Sequence, residues 1–426
     1  MSVHDFLIRH AVKINEGSGV LVQSMSDEYS YVLTAKHVLA AVNSLSMWDG
    51  TPVEPLGVYS LDKDCAVIKV PYVESLSLTR FRSPDVEYQA LAIFAGFPGY
   101  LNNTNSPAEK FRMYNGKINK VVDDYLLTLD NLPPKALIDG ASGGGVYFLI
   151  GQQPFLIGVE IEMAGPQPQE PGVVKCYSLA RFDEIVNANG FAPILPTFFE
   201  CFRKLQNKTF QFDSAMPGSF NNLRRILHAK VTSMVAEGAP TPYELLDKYK
   251  DDLVVIGQSQ QALYDIDLWT AFAEFLVIDM IMCGAQHFDA AHLLDLERRR
   301  RFVYSRHETN WMQDFSNILQ SARKLLDDGG MLIVASKDNS SAPVPSLDMI
   351  NAILENITSP LSDVSEDEEP RIDMGIEMGS VPYEFALLGS LQRACITNNE
   401  LAFRRAAPDQ LVDILRGYYN AVVQWR

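Results

Sequence analysis

Near Pro193 this chain of 426 residues changes its hydrophobic period. From Ala11 to about Tyr177 apolar residues come in short runs rich in Val, Ile, Leu, Phe and Tyr. Examples are Gly19-Val-Leu-Val-Gln23, Tyr31-Val-Leu-Thr34, Ala66-Val-Ile-Lys-Val70, Ala90-Leu-Ala-Ile-Phe94 and Pro154 to Ile161, with Gly, Pro, Asn and Asp between them. Short runs bounded by turn formers read as β-strands, and many at close spacing mean a sandwich or barrel. Beyond Pro193 the apolar residues recur at steps of three and four. Asn221 to Ala236, Asp265 to Cys283, Phe288 to Val303, Trp311 to Leu326, Pro345 to Ile357 and Pro382 to Ile396 all have this pattern, which is that of helices with one buried face. The two periods need different packing partners, so the chain reads as multidomain: an all-β domain over residues 1–195, then a mainly α-helical one beginning at 196.

A break interrupts the second half. Ser359 to Pro370 combines serine, proline and an acidic block without periodicity, the composition of a flexible connector over residues 359–371. The helical domain proper is then 196–358. The segment 372–426 closes the chain as a further helical piece, its stripe of Leu411, Ile414, Leu415, Tyr418, Tyr419 and Val422 suited to docking on another helix.

Composition removes several function classes. Lys+Arg number 36 against Asp+Glu 53, a net charge of −17 that repels a phosphate backbone, so direct nucleic-acid binding is not expected. The best candidate span, Leu268 to Cys283, is broken by Glu274 and Asp279, so no membrane helix is expected. The first ten residues carry Asp5, Arg9 and two histidines where a secretory signal needs an unbroken apolar core, and five scattered cysteines fit reduced thiols; both point to the cytoplasm. Cys283, His287 and His292 lie close together but lack a closed zinc signature, so no metal or other cofactor is expected. The run Glu297-Arg-Arg-Arg-Arg301 reads as a solvated face pairing with local carboxylates, and Trp269, Phe272, Phe275 and Leu276 as core.

Three short patterns in the first half carry chemistry. Thr34-Ala35-Lys36-His37 leaves a histidine where a strand gives way to a turn. Asp64-Cys65-Ala66-Val67-Ile68 puts a carboxylate at the start of a strand, with Asp62 as a competitor. Gly140-Ala141-Ser142-Gly143-Gly144-Gly145 sets a serine in a glycine-rich turn before Val146 to Leu149. A serine hydroxyl is a weak nucleophile until an imidazole takes its proton, and the imidazole needs a carboxylate to fix its tautomer. Glycines beside the serine let the backbone of Gly140 and Ser142 aim two N–H groups at one point.

This order of motifs resembles the trypsin-like, chymotrypsin-fold serine peptidases over about residues 10–185. The resemblance implies a two-lobed antiparallel β-barrel, with His37 as general base, Asp64 as its orienter, Ser142 as nucleophile and an oxyanion hole at Gly140 and Ser142. Gly96-Phe97-Pro98-Gly99 is similar to a turn common in bacterial and organellar relatives. Where animal digestive members have an aspartate before the serine this chain has Ala141, so activation by propeptide cleavage is not implied. The resemblance places Ala136 at the floor of the specificity pocket, and strand alternation puts Glu160 and Glu162 on one face, which as a pocket wall would favour a basic residue before the cleaved bond. A peptidase fused to a helical domain also resembles, in layout, the effectors of prokaryotic anti-phage conflict systems, including the ABC-three-component type. That layout implies a protein substrate, a regulatory protein partner or oligomer engaged through the helices, and a restraining or recruiting role for them. The alternatives are a stress or maturation protease with one host substrate, and a catalytically silent peptide-binding scaffold.

Overall fold

The structure, a computed structural model, describes residues 2–74, 76–81, 86–104, 107–122, 124–163, 171–285, 287–288, 290–306, 314–326, 330–337 and 383–423. The expected connector at 359–371 and the expected helix from Pro345 to Ile357 lie outside them. The chain forms two compact units, Met1–Phe199 and Glu200–Arg426.

The first unit is β-rich and has two lobes. One lobe is a seven-stranded antiparallel sheet of β1 (Ala11–Ile14), β2 (Gly17–Gln23), β3 (Tyr29–Thr34), β4 (Leu45–Met47), β5 (Pro52–Val53), β6 (Gly57–Ser60) and β7 (Ala66–Pro71), in the order β5-β4-β1-β2-β3-β7-β6. The other is a closed antiparallel barrel of β8 (Leu91–Gly96), β9 (Arg112–Val122), β10 (Asp124–Leu129), β11 (Gly145–Ile150), β12 (Gln153–Met163) and β13 (Val173–Ser178), in the order β10-β13-β12-β11-β8-β9. A strand sends alternate side chains to opposite faces, and both faces are used here. Leu21 of β2 and Val32 of β3 fill the first lobe with Val12, Ile14, Ile68 and Val70. Val20 and Leu33, one residue earlier and one later, turn the other way and pack with Ile93, Ala95, Val159 and Ile161 of the barrel. The lobes therefore share a core, which holds the ends of their strands in fixed relation. Helix α1 (Val3–Arg9) precedes the strands, and α2 (Leu179–Ala188) follows them, joining the shared core through Leu179, Phe182, Ile185 and Val186 at helical spacing.

The second unit is mainly helical. Its helices are α3 (Asn221–Ala236), α4 (Pro242–Tyr249), α5 (Ile266–Cys283), α6 (Ala290–Arg299), α7 (Phe315–Leu325), α8 (Leu388–Cys395), α9 (Glu400–Arg405) and α10 (Leu411–Val422). Local chemistry sets their ends. Helix α4 starts on a capping box in which the Thr241 hydroxyl accepts from the Glu244 N–H at 3.1 Å and the Glu244 carboxylate accepts from the Thr241 N–H at 2.7 Å. Helix α5 ends at Gly284, whose φ of 65° is left-handed. Trp269, Phe272, Phe275 and Leu276 of α5 are buried, and this helix is apolar on nearly every side, the pattern of a central helix.

Within this mainly helical unit lies a small sheet that the helical periodicity did not foretell. Strands β14 (Arg300–Ser305), β15 (Gly330–Ser336) and β16 (Tyr383–Leu387) form a parallel sheet in that order. A parallel strand buried on both faces is a continuous apolar run without alternation, which periodicity cannot tell from a helix segment. Phe288 to Val303 thus fuses α6 with the start of β14. Among the described residues no helix is long and apolar enough to cross a membrane.

Candidate active site

Strand pairing explains why residues far apart in sequence meet. Strands β3 and β7 run antiparallel with Thr34 opposite Ala66, so the segment leaving β3 lies beside the segment entering β7. A short 3-10 turn, Lys36–Val38, carries His37. Asp64 holds it with both oxygens: Oδ1 accepts the His37 backbone N–H at 2.8 Å and Oδ2 faces Nδ1 at 2.8 Å. An ionised carboxylate can only accept, so Nδ1 carries a proton and Nε2 of the neutral ring is left as acceptor. Asp62, the competing acid, is exposed.

The turn at Ser142 is fastened to both lobes. The Ser18 N–H of β2 donates to the Ser142 carbonyl at 2.8 Å, the Gly143 N–H donates to the Glu160 carbonyl of β12 at 2.8 Å, and the Glu160 N–H donates to the Gly144 carbonyl at 2.8 Å. Gly143 has φ of +89°, and a Cβ there would stand 2.0 Å from the Ser18 carbonyl oxygen, so only glycine fits. Sequence reading missed Ser18. It is buried, its carbonyl accepts from the Thr34 hydroxyl at 2.7 Å, and its own hydroxyl accepts from the Phe97 N–H at 2.8 Å, so one small residue ties the serine turn, the strand before His37 and the Gly96–Gly99 turn together. The signal was present as Gly17-Ser18-Gly19, three small residues at the head of an apolar strand.

Two N–H groups at this turn are unspent. Among the described residues neither Gly140 nor Ser142 donates its backbone N–H to a protein acceptor. Their orientation has a cause. The Asp139 carbonyl accepts from the Gly99 N–H at 2.7 Å, and in a trans peptide the following N–H, that of Gly140, must point the opposite way. Gly140 has φ of +84° and approaches Gly99 so closely that a Cβ would stand 2.6 Å from its nitrogen.

The three residues read as pocket walls separate. Ala136 is exposed on the 3-10 turn Lys135–Leu137. Glu160 and Glu162 do not share a face: the register of β12 on β13 shifts between them, Glu160 facing Cys176 and Glu162 facing Lys175. The β-bulge adds a residue and cancels the alternation. Glu162 is exposed and lies 3.8 Å from Lys175, whereas Glu160 is 1% exposed. Burial pushes the Glu160 carboxyl up to about 8; a hydrogen bond with the Ser142 hydroxyl pulls it down, and the charges of Glu162 and Asp64 add to the rise. Its Oε2 is buried and makes no hydrogen bond among the described residues.

In the second unit the soft ligands and the basic run serve other ends. His292 Nε2 lies 3.0 Å from Asp279 Oδ2, and Arg300, 2% exposed, meets Asp279 Oδ1 at 2.6 Å and donates to Cys283 Sγ at 3.2 Å. His287 is exposed beside Glu237. Arg299 pairs with Asp295, and the Arg301 Nε donates to the Leu325 carbonyl at 3.1 Å. Among the described residues no group of three His, Cys, Asp or Glu side chains could hold a metal ion.

No curated protein sequence matches the chain. Two solved structures similar to it are the Rv3671c protease of M. tuberculosis in an inactive form and the HtrA-type protease AlgW with a decapeptide. The first is 20% identical, covering 44% of this chain and 92% of that one with a TM-score of 0.33. The second is 19% identical, covering 41% and 51% with a TM-score of 0.32. Residues 176–397, more than half of the chain, match the family of C-terminal domain 4 of the ABC-three component (ABC-3C) systems, and the chain belongs to that family.

Proposed function

We propose that the protein is a serine endopeptidase of an ABC-three component system, acting as a protein-cleaving effector in defence, with Ser142 as nucleophile, His37 as general base and Asp64 as orienter. The observation that carries this reading is the clasp of Asp64 on His37 in the same unit as a serine turn with two unspent N–H groups. In the reaction the Ser142 hydroxyl gives up its proton to Nε2 of His37 as its oxygen bonds to the substrate carbonyl carbon. The carbonyl oxygen gains negative charge between the N–H groups of Gly140 and Ser142, a stabilisation worth about 3–4 kcal/mol per donor in related chemistry. His37 then protonates the leaving amine, and water attacks the acyl-serine by the same route in reverse.

We further propose that the helical unit engages a protein partner and restrains or directs the peptidase, since an unrestrained peptidase would damage the cell that makes it and more than half of the chain belongs to a domain family of ABC-three component systems.

Labelling by a fluorophosphonate tests the enzyme. The full chain is expected to be modified on Ser142, and Ser142→Ala is expected to abolish the modification. Absence of labelling in the full chain, with and without its system partners, would favour the silent peptide-binding scaffold. Equal labelling with and without those partners would remove the restraining role of the helices.

A further inference from the structure

Helix α3 is at odds with the charge of its chain. The protein has 53 acidic residues, yet Asn221 to Ala236 contain none, while Arg224, Arg225, His228 and Lys230 stand on it. Other helices of the same unit pair their cations: Arg299 with Asp295 on α6, Lys248 of α4 with Glu297 of α6, Arg416 with Asp413 on α10. Arg225 is exposed and, among the described residues, makes no hydrogen bond or ion pair. Nor does the helix favour arginines there, because its first turns are the positive end of the backbone dipole.

These side chains line a groove of about 430 Å³, with Gln206, Asn221, Arg224, Arg225, His228 and Ala229 as its walls and no carboxylate among them. Two neighbouring carbonyls hold the basic side chains in place. The Phe210 carbonyl accepts from Arg224 Nε at 3.1 Å, which leaves both terminal nitrogens of that guanidinium without a partner among the described residues. The Thr209 carbonyl lies 3.2 Å from His228 Nε2, and since a carbonyl only accepts, that nitrogen carries a proton. Gln206 gives its Oε1 to the Thr232 hydroxyl at 3.4 Å, so its amide nitrogen remains to donate. The groove is thus walled by fixed, unspent donors, and what is missing is an acceptor with charge.

We propose that this groove binds a small phosphate-bearing molecule. Arg225 and the free end of Arg224 hold the phosphate oxygens, and the side-chain amides of Asn221 and Gln206 meet polar groups on the rest of the ligand. A tetrahedral phosphate offers oxygens to two guanidinium forks at once, whereas a planar carboxylate is filled by one. The volume falls in the range of small-molecule sites, roughly 300–1,000 Å³, and exceeds what a single ion needs. Screening cuts off distant charges beyond about 8 Å at physiological ionic strength, so a small anion in the groove feels these cations, while a long polyanion would run out over a chain of net charge −17.

The test is titration calorimetry on the full chain with two probes, pyrophosphate and metal-free ADP, the second adding a nucleoside to the same phosphates. Saturable binding at one site per chain is expected. Arg225→Gln, a change at an exposed and unpartnered side chain, should weaken it on the order of 10- to 100-fold, the worth of hydrogen bonds to a charged group. Arg298→Gln removes the same charge from an exposed position on α6 outside the groove and should leave the affinity as it was. Either probe behaving in this way supports the site, and tighter binding of ADP would bring in the two amides as well. Absence of saturable binding by both probes at millimolar concentration, or equal weakening by the two substitutions, would overturn the proposal. Tighter binding of a single-stranded oligonucleotide or an oligoglutamate peptide than of ADP would overturn it too, by replacing the small ligand with a macromolecule.

Discussion

The β-rich unit and the helical unit bury acids in opposite ways. Glu274, Asp279 and Glu400 of the helical unit meet donors or cations on their oxygens, and each ties together segments remote in sequence: 210 with 274 and 392, 279 with 292 and 300, 214–216 with 400. Glu160 of the β-rich unit, whose backbone pairs with the Gly143 and Gly144 turn, has an Oε2 without a hydrogen bond among the described residues. The difference teaches where to look for chemistry. A satisfied buried polar group fixes a fold, and removing one partner exposes the others' desolvation cost; an unsatisfied one calls for an explanation such as strain, a bound water or a functional role.

The comparison can be broken by substitution. The largest effect is expected at the proposed nucleophile and its proposed helpers. Ser142→Ala and Asp64→Asn should each lower peptide hydrolysis on the order of 10⁴-fold while leaving the thermal transitions near those of the parent, and Asp62→Asn should do neither. A fully active Asp64→Asn would remove the assignment of the orienting acid.

In the helical unit the loss should instead be of stability. Asp279→Ala leaves the buried Arg300 guanidinium without its carboxylate, and unpairing a buried ion costs about 3–5 kcal/mol. Calorimetry should show the helical transition moved down by many degrees with the β-rich transition unmoved. A shift within error would mean that water reaches Arg300.

The pH dependence sharpens the contrast further. Folding raises the Glu160 carboxyl from 4.5 to about 8, so between roughly pH 5 and 8 the folded chain holds a proton that the unfolded chain has released. Stability must therefore fall as pH rises through that window. Glu160→Gln, which cannot ionise, should match the parent at pH 5 and exceed it at pH 9 by roughly a few kcal/mol at most. Parallel melting curves for the two across pH 5–9 would show that Glu160 is ionised throughout and has a partner.

The smallest effect belongs to a local device. Thr241→Ala removes one half of the capping box of α4, for an expected loss of about 1 kcal/mol from the helical transition and no change in hydrolysis.

Much of the site was legible in the sequence because its parts are short-range. The His37 turn follows an apolar strand, Asp64 precedes another, and Gly140 and Gly143 stand where the backbone needs positive φ. Strand texture before Pro193 and helical periodicity after it likewise mark the two units, since period two and period 3.6 are written into neighbouring residues. What the sequence left undecided is what depends on a partner chosen from far along the chain. The carboxylate that meets His37 follows from the register of β3 on β7, which puts Thr34 opposite Ala66. The split between buried Glu160 and exposed Glu162 follows from a bulge against β13 that no alternation rule foresees. Ser18 becomes a hub only when β2 lies beside the Ser142 turn, and Met331 to Ala335 becomes a strand rather than a helix only because β14 and β16 flank it in parallel. Period and turn chemistry act within a few residues and so can be read from the chain, whereas register, bulges and the pairing of buried charges are settled by contacts that exist only after the chain has folded.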